Sequence, residues 1–169
     1  MKIKELVDAL NLFSEKEILS LYTLVMNSSQ IIMIGNGGSN SICSHISQDY
    51  TKQLKKKSYA FSDPSRLTCY INDYGRDNAY AQFLKEFSDT DTFVILISSS
   101  GNSMNVINCA KYCLDTGISY MILTGFDETN KLRSEYSRDA KLDIYVDSRD
   151  YGVVETAHQA FLHTIVGKF

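Results

Sequence analysis

The chain has 169 residues, 44% of them hydrophobic, which is enough for one domain with a packed core and too few for two of ordinary size. A formal charge of −3 at pH 7 argues against a nucleic-acid binder, and the basic cluster of Lys52, Lys55, Lys56 and Lys57 reads as a solvated helix end. No apolar run approaches the roughly 18 residues that a membrane span needs and no secretory leader stands out, so the expectation is a soluble cytoplasmic protein with no membrane partner.

In chain order, residues 3–13 and 15–27 carry apolar positions at helical spacing, and Ser14-Glu15-Lys16-Glu17 between them has the form of a capping box. This predicts an N-terminal helical hairpin over residues 1–28 whose outward apolar face serves as an oligomer contact. Strand runs then alternate with helical patterns. Strands are expected at 31–34, 58–61, 67–71, 92–97, 120–124 and 142–146, with helices at 39–54, 77–88, 103–116, 129–137 and from 152 to the end. Alternation of this kind implies a parallel sheet flanked by helices, an α/β fold in one domain. Leu142, Ile144 and Val146 alternate with Asp143 and Tyr145, which places that strand at an edge, and Pro64 marks a turn. The cysteines, Cys43, Cys69, Cys109 and Cys113, include no Cys-x-x-Cys, so packed thiols are expected rather than disulfides or a zinc knuckle.

Two loops carry the first functional signal. Gly35-Asn36-Gly37-Gly38-Ser39 follows the apolar run Ile31 to Ile34, and Ser98-Ser99-Ser100-Gly101-Asn102-Ser103 follows Phe93 to Ile97. Small, hydroxyl-rich loops at the carboxyl ends of buried parallel strands are where open α/β sheets bind ligands, and each loop opens a helix whose amino end favours an anion. The first loop lacks the third glycine of the dinucleotide fingerprint and the Gly-Lys-Ser/Thr of the P-loop, which disfavours a nucleotide. A phosphate or sugar phosphate is the expected ligand, with Ser39, Ser98, Ser99, Ser100 and Ser103 as hydroxyl donors and Gly37 bringing backbone close.

The titratable residues carry the second. On a helix at about 100° per residue, Ile42, Cys43, Ile46 and Tyr50 form a core stripe, and His45 and Asp49 share its flank. The same projection of the last helix puts Glu155, Gln159 and His163 on one face, with Leu162 near them, and turns His158 away from His163. Two histidine–carboxylate pairs on helices that reach the same strand ends suit proton transfer or metal binding.

Together these blocks, with Asn72-Asp73-Tyr74-Gly75, Asn105-Val106-Ile107 and Leu123-Thr124-Gly125, resemble the phosphoheptose isomerases of the sugar-isomerase (SIS) domain family, over nearly everything from residue 30 onward. The resemblance implies a flavodoxin-like, three-layer parallel sheet and a homotetramer with active sites between subunits. It also implies an aldose–ketose isomerase acting on sedoheptulose 7-phosphate. By the same resemblance the serine loop and Ser39 hold the phosphate, Asn36 and Asp73 orient the sugar, and Glu155 contributes to the substrate site. Asp49 and His163 fall on the catalytic carboxylate and histidine, and His45, Asp49, Glu155 and His163 match a zinc site of some members. The chain departs from the family with Asp49 for a usual glutamate, Gln53 for an arginine and Glu155 for a glutamine. The rival readings are a non-catalytic SIS module that binds a phosphosugar or a protein such as a replication initiator, and an isomerase of another sugar phosphate.

Overall fold

The computed structural model describes residues 2–167; the last two positions of the predicted terminal helix lie outside the described residues. Five parallel strands, β1 (Gln30–Gly35), β2 (Lys57–Ala60), β3 (Thr92–Ser98), β4 (Ser119–Gly125) and β5 (Leu142–Val146), form one sheet in the order β2-β1-β3-β4-β5. Eight helices accompany them among the described residues: α1 (Ile3–Leu10), α2 (Glu15–Asn27), α3 (Gly37–Leu54), α4 (Pro64–Tyr74), α5 (Ala79–Phe87), α6 (Met104–Thr116), α7 (Lys131–Tyr136) and α8 (Tyr151–His163).

The period-two alternation of the strands divides the core into two layers. Ile32, Ile34, Val94, Leu96 and Ile122 pack with α5, α6 and α7, whereas Ile31, Met33, Ile95, Ile97 and Leu123 pack with α2, α3 and α8. Both faces are covered, which is why the central strands read as unbroken apolar runs. The edge position expected for β5 holds: Ile144 and Val146 are buried, and the outward Asp143 accepts from Arg133 Nε at 2.9 Å while the guanidinium lies 4.6 Å from the Tyr145 ring. Cys43, Cys109 and Cys113 are buried free thiols and Cys69 is an exposed one. No described helix is long and apolar enough to cross a membrane.

The capping box at α2 forms as read, Glu17 N donating to Ser14 Oγ and Ser14 N to Glu17 Oε2 at 2.8 Å. The two N-terminal helices separate rather than form a closed hairpin: α1 sets Leu6 and Ala9 against Val153, Val154 and Ala157 of α8, while α2 buries Leu21 and Val25 against the sheet layer. Ile3, Val7, Leu12 and Leu19 remain exposed.

One expected element is wrong. Residues 67–71 are not a strand but the middle of α4, because Asp63 caps the helix by accepting from Arg66 N at 2.9 Å and Pro64 sits in the first turn, where its missing N–H costs nothing. The β-branched and aromatic residues of that run are then sorted by helical spacing. Leu67 and Tyr70 face Phe61 and Phe83, while Ile71 and Tyr74 stay outside.

The chain leaves β1 for β2 on one side and later returns to β3 on the other. The carboxyl ends of β1 and β3 therefore flank the topological switch point, where open α/β sheets leave a crevice.

Candidate active site

At that crevice the amino ends of α3 and α6 frame a cleft of about 240 Å³. Asn36, Gly37, Gly38 and Ser39 line it from the first loop, and Ser98, Ser99, Ser100 and Ser103 from the second. Ser39, Ser98 and Ser99 are almost fully buried, and the Ser99 hydroxyl has no hydrogen-bond partner among the described residues. That oxygen is itself closed off from solvent, and the half-buried Ser100 and Ser103 are the more accessible hydroxyls of the cleft. The serine loop is held from behind by α7: Leu132 N donates to Gly101 O at 2.8 Å and Lys131 N to Asn102 Oδ1 at 3.0 Å. Gly101 has φ of +63°, and any side chain there would collide with Asn130.

Glu155 closes the cleft from α8, with Tyr151 beside it. Its carboxylate rests on the backbone of Gly38, where a Cβ would strike it. Burial pushes the Glu155 carboxyl above the usual range, and it takes no hydrogen bond among the described residues. Asp150 N-caps α8 by accepting from Val153 N at 3.1 Å, so the turn at 150–152 is the start of the helix.

Farther along α3 and α8 a second cluster forms. Asp49 Oδ2 lies 3.1 Å from His163 Nε2 and 3.4 Å from His45 Nε2, and the two Nε2 atoms are 3.2 Å apart. Two imidazole nitrogens at that distance cannot both point protons at each other, so at least one presents a lone pair. Asp49 Oδ1 takes no hydrogen bond among the described residues and is free to act on a ligand. The neighbouring residues set this geometry. Tyr50, next to Asp49, is buried and donates its hydroxyl to the carbonyl of Leu162, next to His163, at 2.9 Å. A groove of about 400 Å³ between α3 and α8, lined by Gly38, His45, Glu155 and Gln159, runs from the first cleft toward this cluster.

Some expected site residues are not brought together. Glu155 stands outside the His45, Asp49 and His163 group, since it lies two helical turns before His163 and leans on Gly38. Leu162 is fully buried rather than near the polar face. Asp73 is exposed on α4, where it accepts from Asn72 Nδ2 at 2.9 Å, and does not line the cleft of its own chain. The sequence pattern assigns no site role to Asn105, Tyr50 or Tyr151. The spacing of Asn105 two positions after Ser103, in the first turn of a helix that opens an anion loop, was the available signal.

His158 does point away from His163, as the helix projection predicts. It is fully buried, Nε2–H donates to Thr124 O at 3.0 Å, and Nδ1 has no partner among the described residues. Burial lowers its pKa from 6.5 to about 4. The folded state therefore holds the neutral ring while the unfolded chain takes up a proton below pH 6.5. The His158 contribution to stability is expected to be constant above pH 6.5, to fall by about 3 kcal/mol as pH drops toward 4, and to level off below that. Urea midpoints across this range, compared between wild type and His158→Gln, check it; identical pH slopes would remove His158 as the cause.

No family model matches the chain. It is 32% identical over 147 residues to the phosphoheptose isomerase of Aliarcobacter butzleri, covering 82% of this chain and 74% of that protein. To the phosphoheptose isomerase of Mycobacterium tuberculosis it is 31% identical over 143 residues, 81% of this chain and 70% of the other. Among solved structures, the phosphoheptose isomerase GmhA from Neisseria gonorrhoeae superposes with a TM-score of 0.86 at 23% identity, over 97% of this chain and 91% of that one, a likeness of fold.

Proposed function

Because the chain belongs to the phosphoheptose isomerase family, we propose that it interconverts sedoheptulose 7-phosphate and D-glycero-manno-heptose 7-phosphate by proton transfer through an enediol. The observation that carries this reading is the pairing of an anion cleft with a carboxylate whose second oxygen is unpartnered and whose first is bound by two histidines.

The phosphate enters the serine cleft, where the helix amino ends and the Ser39, Ser98, Ser99, Ser100 and Ser103 hydroxyls replace its hydration. Asn36 and Glu155 meet the sugar hydroxyls, and Asp73 joins them from a neighbouring copy. Asp49 Oδ1 removes the proton from C1 of the ketose and returns it to C2. His163 moves the hydroxyl proton between the two oxygens, held in place by Asp49 Oδ2.

Ser39 and Asp49 are ten residues apart on α3, about 15 Å along the axis. An extended seven-carbon phosphate with bonds of ~1.5 Å reaches about 10 Å from C1 to phosphorus. With a contact of about 3 Å at each end, one substrate spans the cleft and the acid–base cluster of a single chain, along the groove between α3 and α8. We read the assembly as a homotetramer in which a neighbour lends Asp73 to each site, held partly through the exposed apolar residues of α1 and α2. We read the protein as a single cytoplasmic SIS domain.

The three atoms Nε2, Nε2 and Oδ2 also fit zinc, since ligands at ~2.0–2.1 Å in a tetrahedron stand about 3.3 Å apart and these stand 3.1–3.4 Å apart. His45, Asp49 and His163 would hold the ion, which would polarise a carbonyl in place of the His163 relay, since Nε2 cannot carry a metal and a proton at once.

Incubation with sedoheptulose 7-phosphate in deuterated water is expected to place deuterium on the carbon next to the carbonyl. Intact phosphosugar binding with no exchange would instead indicate a binding module, and exchange only with a pentose or hexosamine phosphate would move the substrate.

A further inference from the structure

Asn36 and Asn105 bind each other through both ends of their amides. Asn36 Nδ2 donates to Asn105 Oδ1 at 2.9 Å, and Asn105 Nδ2 donates to Asn36 Oδ1 at 2.8 Å. The orientation of this pair is set by a third group. Val106 N–H, which can only donate, is shared between Ser103 O at 3.0 Å and Asn105 Oδ1 at 3.1 Å, and an NH2 group in that place would set donor against donor, so the carbonyl end of Asn105 faces that way. Asn105 then dictates which end of Asn36 is oxygen and which is nitrogen. Asn105 is 6% exposed and does not line the cleft, whereas Asn36 does. After the pairing, Asn36 keeps one N–H and one lone pair, which point from opposite edges of its amide. Each edge can meet a different sugar hydroxyl, one by donating and the other by accepting. The same pair ties the loop after β1 to the first turn of α6, across the switch point between the two anion loops.

We propose that Asn105 is a positioning residue, which fixes the amide of Asn36 so that its free donor and its free acceptor each face a set side of the sugar. The proposal rests on the isomerase reading for its substrate, and on the hydrogen bonds alone for its geometry. Asn105 touches no ligand atom and acts only through Asn36.

A double-mutant cycle tests this, with wild type, Asn36→Ala, Asn105→Ala and the double variant assayed on sedoheptulose 7-phosphate. Asn105→Ala is expected to lower kcat/KM about tenfold in wild type and less than about twofold when Asn36 is already alanine. Inhibition by inorganic phosphate, which reads the serine cleft alone, is expected to stay within about twofold. Equal losses in both backgrounds, or a parallel loss of phosphate affinity, would mean that Asn105 merely holds the loop and would overturn the proposal. Should Asn105→Ala melt early, Asn105→Leu keeps the volume without the amide and is expected to give the same pattern. If the wild type binds the ketose without turning it over, the isomerase reading fails, and the same cycle is read on the dissociation constant. If the wild type binds no sedoheptulose 7-phosphate, both are overturned.

Discussion

Asp49→Asn is expected to lower kcat by about 10³-fold, within the roughly 10²–10⁴-fold range of a lost general base, while inorganic phosphate still binds as in wild type. The substitution keeps shape and hydrogen-bonding reach but removes the group that accepts a proton at Oδ1. The serine cleft lies too far along α3 to register the change. Normal turnover would take Asp49 out of the mechanism. The same variant also tests the shared site. Asp73→Ala removes the carboxylate that a neighbour lends to each site, and is expected to be nearly inactive alone. Subunits of the two variants, unfolded together and reassembled, should recover a substantial fraction of activity, because some sites then pair an intact Asp49 with an intact Asp73 from the neighbour. A mixture that stays dead, although mixed oligomers form, would place the whole site within one chain.

Zinc at about a thousand times its dissociation constant is expected to stabilise the protein by about 4 kcal/mol, a rise in Tm of roughly 8–16 °C for a domain of this size. Calorimetric melting with and without zinc reads this independently of activity. His45→Ala and His163→Ala, which each leave two of the three converging atoms, are expected to lose most of the shift. Glu155→Gln, a residue outside that group, is expected to keep it. A shift unchanged in both histidine variants would mean that zinc binds elsewhere.

Much of this fold was legible because buried parallel strands leave an unmistakable record: four to seven apolar residues ending in glycine or serine, with a helix to follow. The runs before Gly35 and Ser98 are strands, and their adjacency in the sheet makes two separate loops into one cleft. Helix α4 was harder. Leu67-Thr68-Cys69-Tyr70-Ile71 has strand composition, none of α4 is fully buried, and the deciding signal was the Asp63-Pro64 start rather than the run itself. At the site, helical projection paired His45 with Asp49 correctly, since four residues make one turn of one helix. It could not show that His163 would meet Asp49 rather than Glu155. That depends on how α3 and α8 cross, set by contacts such as Tyr50 to Leu162 and Gly38 to Glu155 that are far apart in sequence. The Asn36 and Asn105 pair was hidden for the same reason.

The guarded edge formed by Arg133, Asp143 and Tyr145 bears on how copies of this chain meet. An open strand invites another strand, and a sheet that grows sideways becomes a fibre. Here one edge carries a charge clamped from α7, and the other is only four residues long with Lys55, Lys56 and Lys57 at its mouth. Both ends of the sheet thus discourage extension, which leaves the helical faces as the natural route to association. Any contact made through those faces leaves both sheet edges unextended, so association and strand addition draw on separate surfaces of the molecule.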